Sequence, residues 1–76
     1  MNEAPHYSME IEWSDEDQCY IVSLPEWGPY ARTHGRTNVE AVAMGEEALE
    51  LLVSSARQEG AQLPAPRRFA GINVPA

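Results

Sequence analysis

Residues 37–60 read TNVEAVAMGEEALELLVSSARQEG and predict one amphipathic helix that carries its own start and stop signals. Thr37 followed by Glu40 is a capping box, in which the hydroxyl accepts from a first-turn amide and the carboxylate reaches back to the cap amide. Gly60 is the predicted stop, because the residue just past a helix end often needs a positive φ. We therefore expect the rest of the chain to be arranged around this helix.

At about 100° per residue, the sequence gives this helix an apolar face and an acidic face. The apolar face carries Ala41, Val42, Gly45, Ala48, Leu49, Leu52, Val53 and Ala56. The acidic face carries Glu40, Glu47, Glu50, Ser54 and Gln58. Gly45 within the apolar face costs about 1 kcal/mol relative to Ala, so a close approach to a sheet is expected there. Met44 and Leu51 lie one heptad apart on the flank, where we predict contacts for self-association.

The length and charge of the chain limit the kinds of function it can have. Its 76 residues are enough for one domain, which we expect to cover residues 1–76. The formal net charge of -7 argues against unaided nucleic-acid binding, because phosphate contacts need local positive charge. A basic protein partner fits the charge better, although acidity can also serve solubility alone. A chain this short buries only about 60% of its unfolded surface, which favours a homo-oligomer.

Cys19 is the one cysteine, so the chain has neither a disulfide framework nor thiols at metal-ligand spacing. The sequence shows no apolar segment typical of a secretory signal and no apolar run long enough to cross a bilayer. We therefore expect a cytoplasmic location and no membrane partner.

Four further segments have the character of strands. Residues 7–13 alternate apolar and polar, and residues 18–24 do so again after the polar turn at 14–17, which predicts a hairpin. A short third strand is expected at residues 30–35 and a short final strand at 68–74. The predicted fold is α+β in the order β-β-β-α-β, a three-stranded antiparallel meander with one helix packed on it and a short final strand.

Trp27 and Tyr30 lie in or beside a loop over residues 25–29 that two prolines restrict. Large aromatic side chains carry a disproportionate share of interface energy, so both are candidate partner-binding residues. The alternative, which the sequence favours equally, is that both side chains pack back over the edge of the sheet.

The residues that could support catalysis are sparse. Glu10, Glu12 and Asp15 could in principle hold Mg²⁺, but they are neighbours on an exposed strand and its turn, which favours a solvated face. His6 and His34 have no second ligand at zinc spacing. We therefore predict no catalytic, cofactor-binding or metal-binding residue, and no enzyme.

Several segments, taken in order, resemble the HicB-like antitoxin domain. They are Ile11-Glu12-Trp13 with the acidic turn after it, YIVSLPE at residues 20–26, Gly35-Arg36-Thr37, Glu40-Ala41, and EEALE at residues 46–50. The resemblance covers residues 7–66 and depends on this order rather than on one motif. The family's loop usually reads Pro-Gly-Cys before the third strand, whereas this chain has Trp27-Gly28-Pro29-Tyr30. Full-length members also carry a ribbon-helix-helix or helix-turn-helix segment, and here we expect only the toxin-binding part and no DNA-binding segment.

The resemblance implies a fold similar to a partial ribonuclease H without that enzyme's catalytic carboxylates. It also implies a partner, a small basic HicA-type mRNA interferase whose RNA-binding surface the chain would cover. We expect the contact to run through Glu40, Glu47 and Glu50. Two alternatives stay open: a homo-oligomeric domain, most simply a homodimer, without a toxin partner, and a metal-dependent nuclease of the same fold.

Overall fold

A computed structural model describes residues 6–70 of the chain. Within this range the strands are β1 (Glu10–Ser14), β2 (Cys19–Ser23) and β3 (Arg32–Gly35), and the helix is α1 (Asn38–Gln58). A single 3₁₀ turn, Pro25–Trp27, lies between β2 and β3. The three strands form an antiparallel meander in the order β1-β2-β3. The predicted α+β class, with a meander followed by one helix, is confirmed.

The strand register places most of the apolar strand residues on the side of the sheet that the helix covers. Ile11 pairs with Val22, which pairs with Thr33, and Tyr20 lies between Trp13 and Gly35. Since side chains alternate along each strand, the residues between them lie on the opposite face. All three strands are shorter than predicted.

The core lies between this side of the sheet and α1. Val22 and Leu24 are fully buried, and the buried hydrophobic residues together are Tyr7, Val22, Leu24, Ala41, Leu49 and Val53. On the helix, the buried positions recur every four residues at Ala41, Gly45, Leu49 and Val53. Ala48, Leu52 and Ala56 of the predicted apolar face are half-buried, so that face is confirmed except at one position. Val42, which the periodicity places in that face, is 39% exposed.

The ends of α1 are capped nearly as predicted. The Thr37 hydroxyl accepts from the Glu40 amide at 3.0 Å, but the Glu40 carboxylate accepts from the amide of Arg36 at 2.8 Å rather than from that of Thr37. The Glu40 carboxylate thus bonds to the amide one residue before the one that the capping box predicts. At the other end, the helix ends at Gln58, and Gly60 has a φ of 70°.

The carboxyl end of α1 satisfies two of its last carbonyls through the following residues. The Gly60 amide donates to the Arg57 carbonyl at 3.1 Å, and the Ala61 amide donates to the Ala56 carbonyl at 2.9 Å. This pair of bonds is a Schellman motif.

The predicted final strand is wrong over the part that can be described. Arg68, Phe69 and Ala70 have no strand pairing, and residues 71–74 lie outside the described range. Residues 61–70 instead have no regular secondary structure, and Leu63 packs against the core. In residues 6–70, no helix has the length and apolar character needed to cross a membrane.

Candidate functional site

The outer side of α1 is an acidic surface, which we call the helix back and define by Glu40, Glu47 and Glu50. All three residues are exposed. The helix contains four glutamates and a single arginine, Arg57. Among residues 6–70 the one ion pair is between Arg67 Nη1 and Glu10 Oε2 at 3.9 Å, so none of the helix carboxylates is paired within the described chain. The helix back therefore presents uncompensated negative charge.

The three acidic residues differ in how freely they can move. The Glu40 carboxylate is engaged in the amino-terminal cap through the Arg36 amide. No hydrogen bond from another described residue restrains the side chains of Glu47 or Glu50 in the structure of residues 6–70. These two carboxylates are consequently the freer contacts.

The two candidate aromatic anchors occupy different environments. Trp27 is half-buried and packs against the core, with its ring edge-on to Tyr7 at a centroid distance of 5.3 Å and an angle of 67°. Its indole Nε1 is buried and has no hydrogen-bond partner among the described residues. Tyr30 is 88% exposed. Of the two, Tyr30 is the side chain available to a partner, while Trp27 fixes the loop against the sheet.

The two predicted self-association residues also differ. Leu51 is 65% exposed, whereas Met44 is half-buried. The flank therefore offers one prominent apolar side chain rather than a pair.

Glu26 links three segments of the chain, a role that the sequence patterns did not indicate. Both of its carboxylate oxygens accept from the Ser8 amide, at 3.1 and 3.2 Å, and one also accepts from the Ser8 hydroxyl at 2.9 Å. The same carboxylate accepts from the Arg67 amide at 2.9 Å. Partial burial raises the pKa of Glu26, but the hydrogen bonds from Arg67, from its own amide and from Ser8 outweigh this effect, so its pKa lies below the ordinary value. The carboxylate form is the one that holds the segments together.

Tyr7 lies beside this carboxylate and connects the segment before β1 to the segment after α1. Its hydroxyl donates to the Pro64 carbonyl at 2.7 Å. Burial raises the pKa of Tyr7, the Glu26 carboxylate raises it further, and Arg57 opposes both. The hydroxyl therefore stays protonated and serves as a donor.

The carboxylates required by a metal-dependent nuclease are not brought together. No group of three His, Cys, Asp or Glu side chains within residues 6–70 is arranged to hold a metal ion. Asp15 instead accepts from the Trp13 indole at 2.9 Å, next to the turn. Glu10 and Glu12 lie on β1, on the face of the sheet away from α1.

Comparisons with known proteins identify no relative of this chain. No family model, no curated protein and no solved structure matches the chain significantly.

Proposed function

We propose that the chain is a protein-binding module of the HicB-like antitoxin type. In this proposal it neutralises a small, basic HicA-type mRNA interferase by covering the surface with which that toxin binds RNA. Such a toxin acts in the cytoplasm, which is the location we propose for the chain. The proposal includes the finer fold assignment, a meander and helix similar to a partial ribonuclease H.

The observation that carries this proposal is the unpaired negative charge of the helix back. The helix has 21 residues, and at 1.5 Å per residue it is about 30 Å long, comparable to a small domain. The acidic residues 40–50 cover roughly half of that length. A basic surface that binds RNA carries the complementary charge, and opposite potentials accelerate association and disfavour wrong partners.

The contacts within this surface have different roles. Glu47 and Glu50 are the principal charged contacts, because Glu40 already holds the helix cap. Tyr30 supplies an exposed aromatic contact outside the helix, and Trp27 supports its loop through Tyr7.

The test measures the rate at which the chain binds a small basic protein encoded by the neighbouring gene. The double variant Glu47→Gln with Glu50→Gln removes two charges from the helix back, and we expect its association rate at low salt to fall about 3- to 10-fold. The matched control, Glu16→Gln with Glu59→Gln, removes two exposed charges elsewhere and should change the rate less. Equal loss in both variants, or wild-type rates that do not fall with added salt, would contradict the proposal.

A homo-oligomeric domain without a toxin partner is the second candidate, and the exposure of Leu51 favours it. The contact through Met44 and Leu51 stays a prediction. Self-association that is lost in Leu51→Glu would support this candidate, and self-association that survives this change would assign the contact to another surface.

The nuclease alternative has a direct test as well. Titration with Mg²⁺ or Mn²⁺ should leave the NMR signals near Glu10, Glu12 and Asp15 unchanged on the module proposal. Localised shifts around these carboxylates would support the nuclease instead.

A further inference from the structure

One face of the sheet is left uncovered by α1 within the described chain, and we call it the open face. Side-chain alternation assigns to it Glu10, Glu12, Ser14, Cys19, Ile21, Ser23, Arg32 and His34. Two shallow depressions lie on this face. One is lined by residues that include Cys19, Ile21 and His34, and the other by residues that include Glu10, Ser23 and Arg32.

The register sorts the charges of the open face by strand. One row across the sheet runs Glu10, Ser23, Arg32, and the next runs Glu12, Ile21, His34. The acidic residues therefore lie on β1, the basic side chains on β3, and the uncharged residues on β2 between them. Ile21 occupies the middle of its row.

We propose that the open face binds the open face of a second copy of this chain, around a twofold axis parallel to β2. Such a rotation places β1 of each copy opposite β3 of the other. Glu10 then faces Arg32 of the second copy, and Glu12 faces His34 of the second copy. Ile21 meets its own equivalent near the axis, in the isologous manner of a symmetric dimer.

The charge pattern selects this axis over the other in-plane choice. A twofold axis perpendicular to the strands would place β1 opposite β1 and carboxylates opposite carboxylates. Sheets that pack face to face lie about 10 Å apart with their strands within about 30° of parallel, which the selected axis satisfies. The exposed pair of Arg67 with Glu10 is compatible with this arrangement, because exposed ion pairs contribute little and exchange readily.

The size of the open face predicts a weak dimer. Three strands about 4.8 Å apart, of which the longest have five residues, cover at most roughly 14 by 17 Å, well below the ~800 Å² per partner of a standard interface. We expect a dissociation constant between about 1 μM and 1 mM, so the monomer and the dimer coexist in solution. The interface does not use the helix back, so this inference is independent of the proposed toxin contact.

Sedimentation equilibrium on the full chain tests the proposal through a charge exchange. We expect the wild-type mass to rise from monomer toward dimer with concentration, and Arg32→Glu to weaken association at least 10-fold by placing Glu10 opposite a carboxylate. The double variant Glu10→Arg with Arg32→Glu restores opposite charges across the axis and should recover the wild-type association within a few fold. Circular dichroism of each variant shows that it is folded.

Leu51→Glu is the discriminating control, because Leu51 lies on the helix flank and not on the open face. If the open face forms the dimer, association of this variant equals that of the wild type. A wild-type chain that stays monomeric to about 1 mM would overturn the proposal, as would Arg32→Glu without effect. A dimer abolished by Leu51→Glu and unaffected by the charge exchange would assign the interface to the helix flank instead.

Cys19 provides a second readout that does not depend on affinity alone. It is the one cysteine of the chain and lies on β2, so the two thiols of the proposed dimer lie near the axis. A short bismaleimide should therefore couple two copies of the wild type efficiently and two copies of Arg32→Glu poorly. Equal coupling in both would count against the open-face dimer.

Discussion

At the residue scale, Gly35 lies directly against the helix backbone, at the point where β3 ends and the chain turns toward the helix. A Cβ at this position would lie 2.5 Å from the backbone nitrogen of Ala41 and 2.7 Å from its Cα. Backbone atoms in the first turns of a helix cannot yield without moving the helix itself. The absence of a side chain at Gly35 is therefore what lets α1 begin directly against β3.

Gly45 makes a useful comparison, because the atoms around it can move. A Cβ there would meet the Sδ of Met9 and lie 3.1 Å from a methyl group of Val22. The Met9 side chain is flexible, and Ala gains about 1 kcal/mol over Gly in a helix interior. The cost of displacing the Met9 side chain and the gain in helix propensity therefore partly cancel.

We predict that Gly35→Ala lowers the free energy of unfolding by about 2–3 kcal/mol, while Gly45→Ala changes it by less than about 1.5 kcal/mol. Urea denaturation of both variants and the wild type measures the difference. A larger loss for Gly45→Ala than for Gly35→Ala would mean that the contact of the helix with Met9 is the more rigid one.

At the scale of elements, the helix is stabilised at its two ends by Thr37 and Gly60. Replacing the cap residue by Ala typically costs about 1 kcal/mol, and placing a Cβ at positive φ costs roughly 1–2 kcal/mol. We predict that Thr37→Ala and Gly60→Ala each lower the thermal midpoint, as followed by circular dichroism at 222 nm. Ser54→Ala, at an exposed position inside the helix, is the control and should leave the midpoint unchanged or raise it.

The sequence predicts the helix and the first hairpin well because the residues that define each element are close together in the chain. The Thr37 cap, Gly60 and the alternation around Ile11 each depend on residues within one or two turns or one strand. The burial of a single position on the helix face is not local information. Val42 lies at nearly the same angle around the helix as the buried Leu49 and Val53, yet it is 39% exposed, because its burial depends on what the rest of the chain places opposite that turn.

The predicted final strand was wrong over residues 68–70 for a related reason. The prediction of this strand depended on apolar content without strict alternation. The residue before it, Arg67, donates its backbone amide to the Glu26 carboxylate rather than to a neighbouring strand. The exposed acidic residues of the helix back were predictable from periodicity. The role of Glu26 was not, because Ser8 and Arg67 lie 18 and 41 residues away in sequence.

At the scale of the whole molecule, Glu26 fastens the two segments that flank the sheet-helix unit. The segment before β1 reaches it through Ser8, and the segment after α1 reaches it through Arg67, while Tyr7 and Pro64 form a parallel link. The Glu26 carboxylate thereby holds both of these segments at the 3₁₀ turn. A change at this one side chain should loosen both segments together.

We predict that Glu26→Gln lowers the free energy of unfolding at neutral pH by about 1–3 kcal/mol, since the amide keeps one acceptor oxygen and loses the charge. Amide hydrogen exchange should accelerate at Ser8 and Arg67 in the same variant. Glu16→Gln, in the exposed turn, is the matched control and should change stability by no more than about 0.5 kcal/mol. Acceleration at one of the two amides alone would show that the segments are held independently.

The stabilisation from Glu26 should also depend on pH in a defined direction. The folded-state pKa is lowered from the ordinary value of 4.5, so the unfolded chain takes up a proton at this group at a higher pH than the folded chain does. The stabilisation is fully present above the unfolded value and is lost as the pH falls through the folded one. The difference in unfolding free energy between wild type and Glu26→Gln should thus be constant from neutral pH down to about 5.5 and shrink below that. Urea titrations of both proteins at several pH values measure it, and a difference that stays constant down to pH of about 3 would show that the charge of Glu26 contributes nothing to the fold.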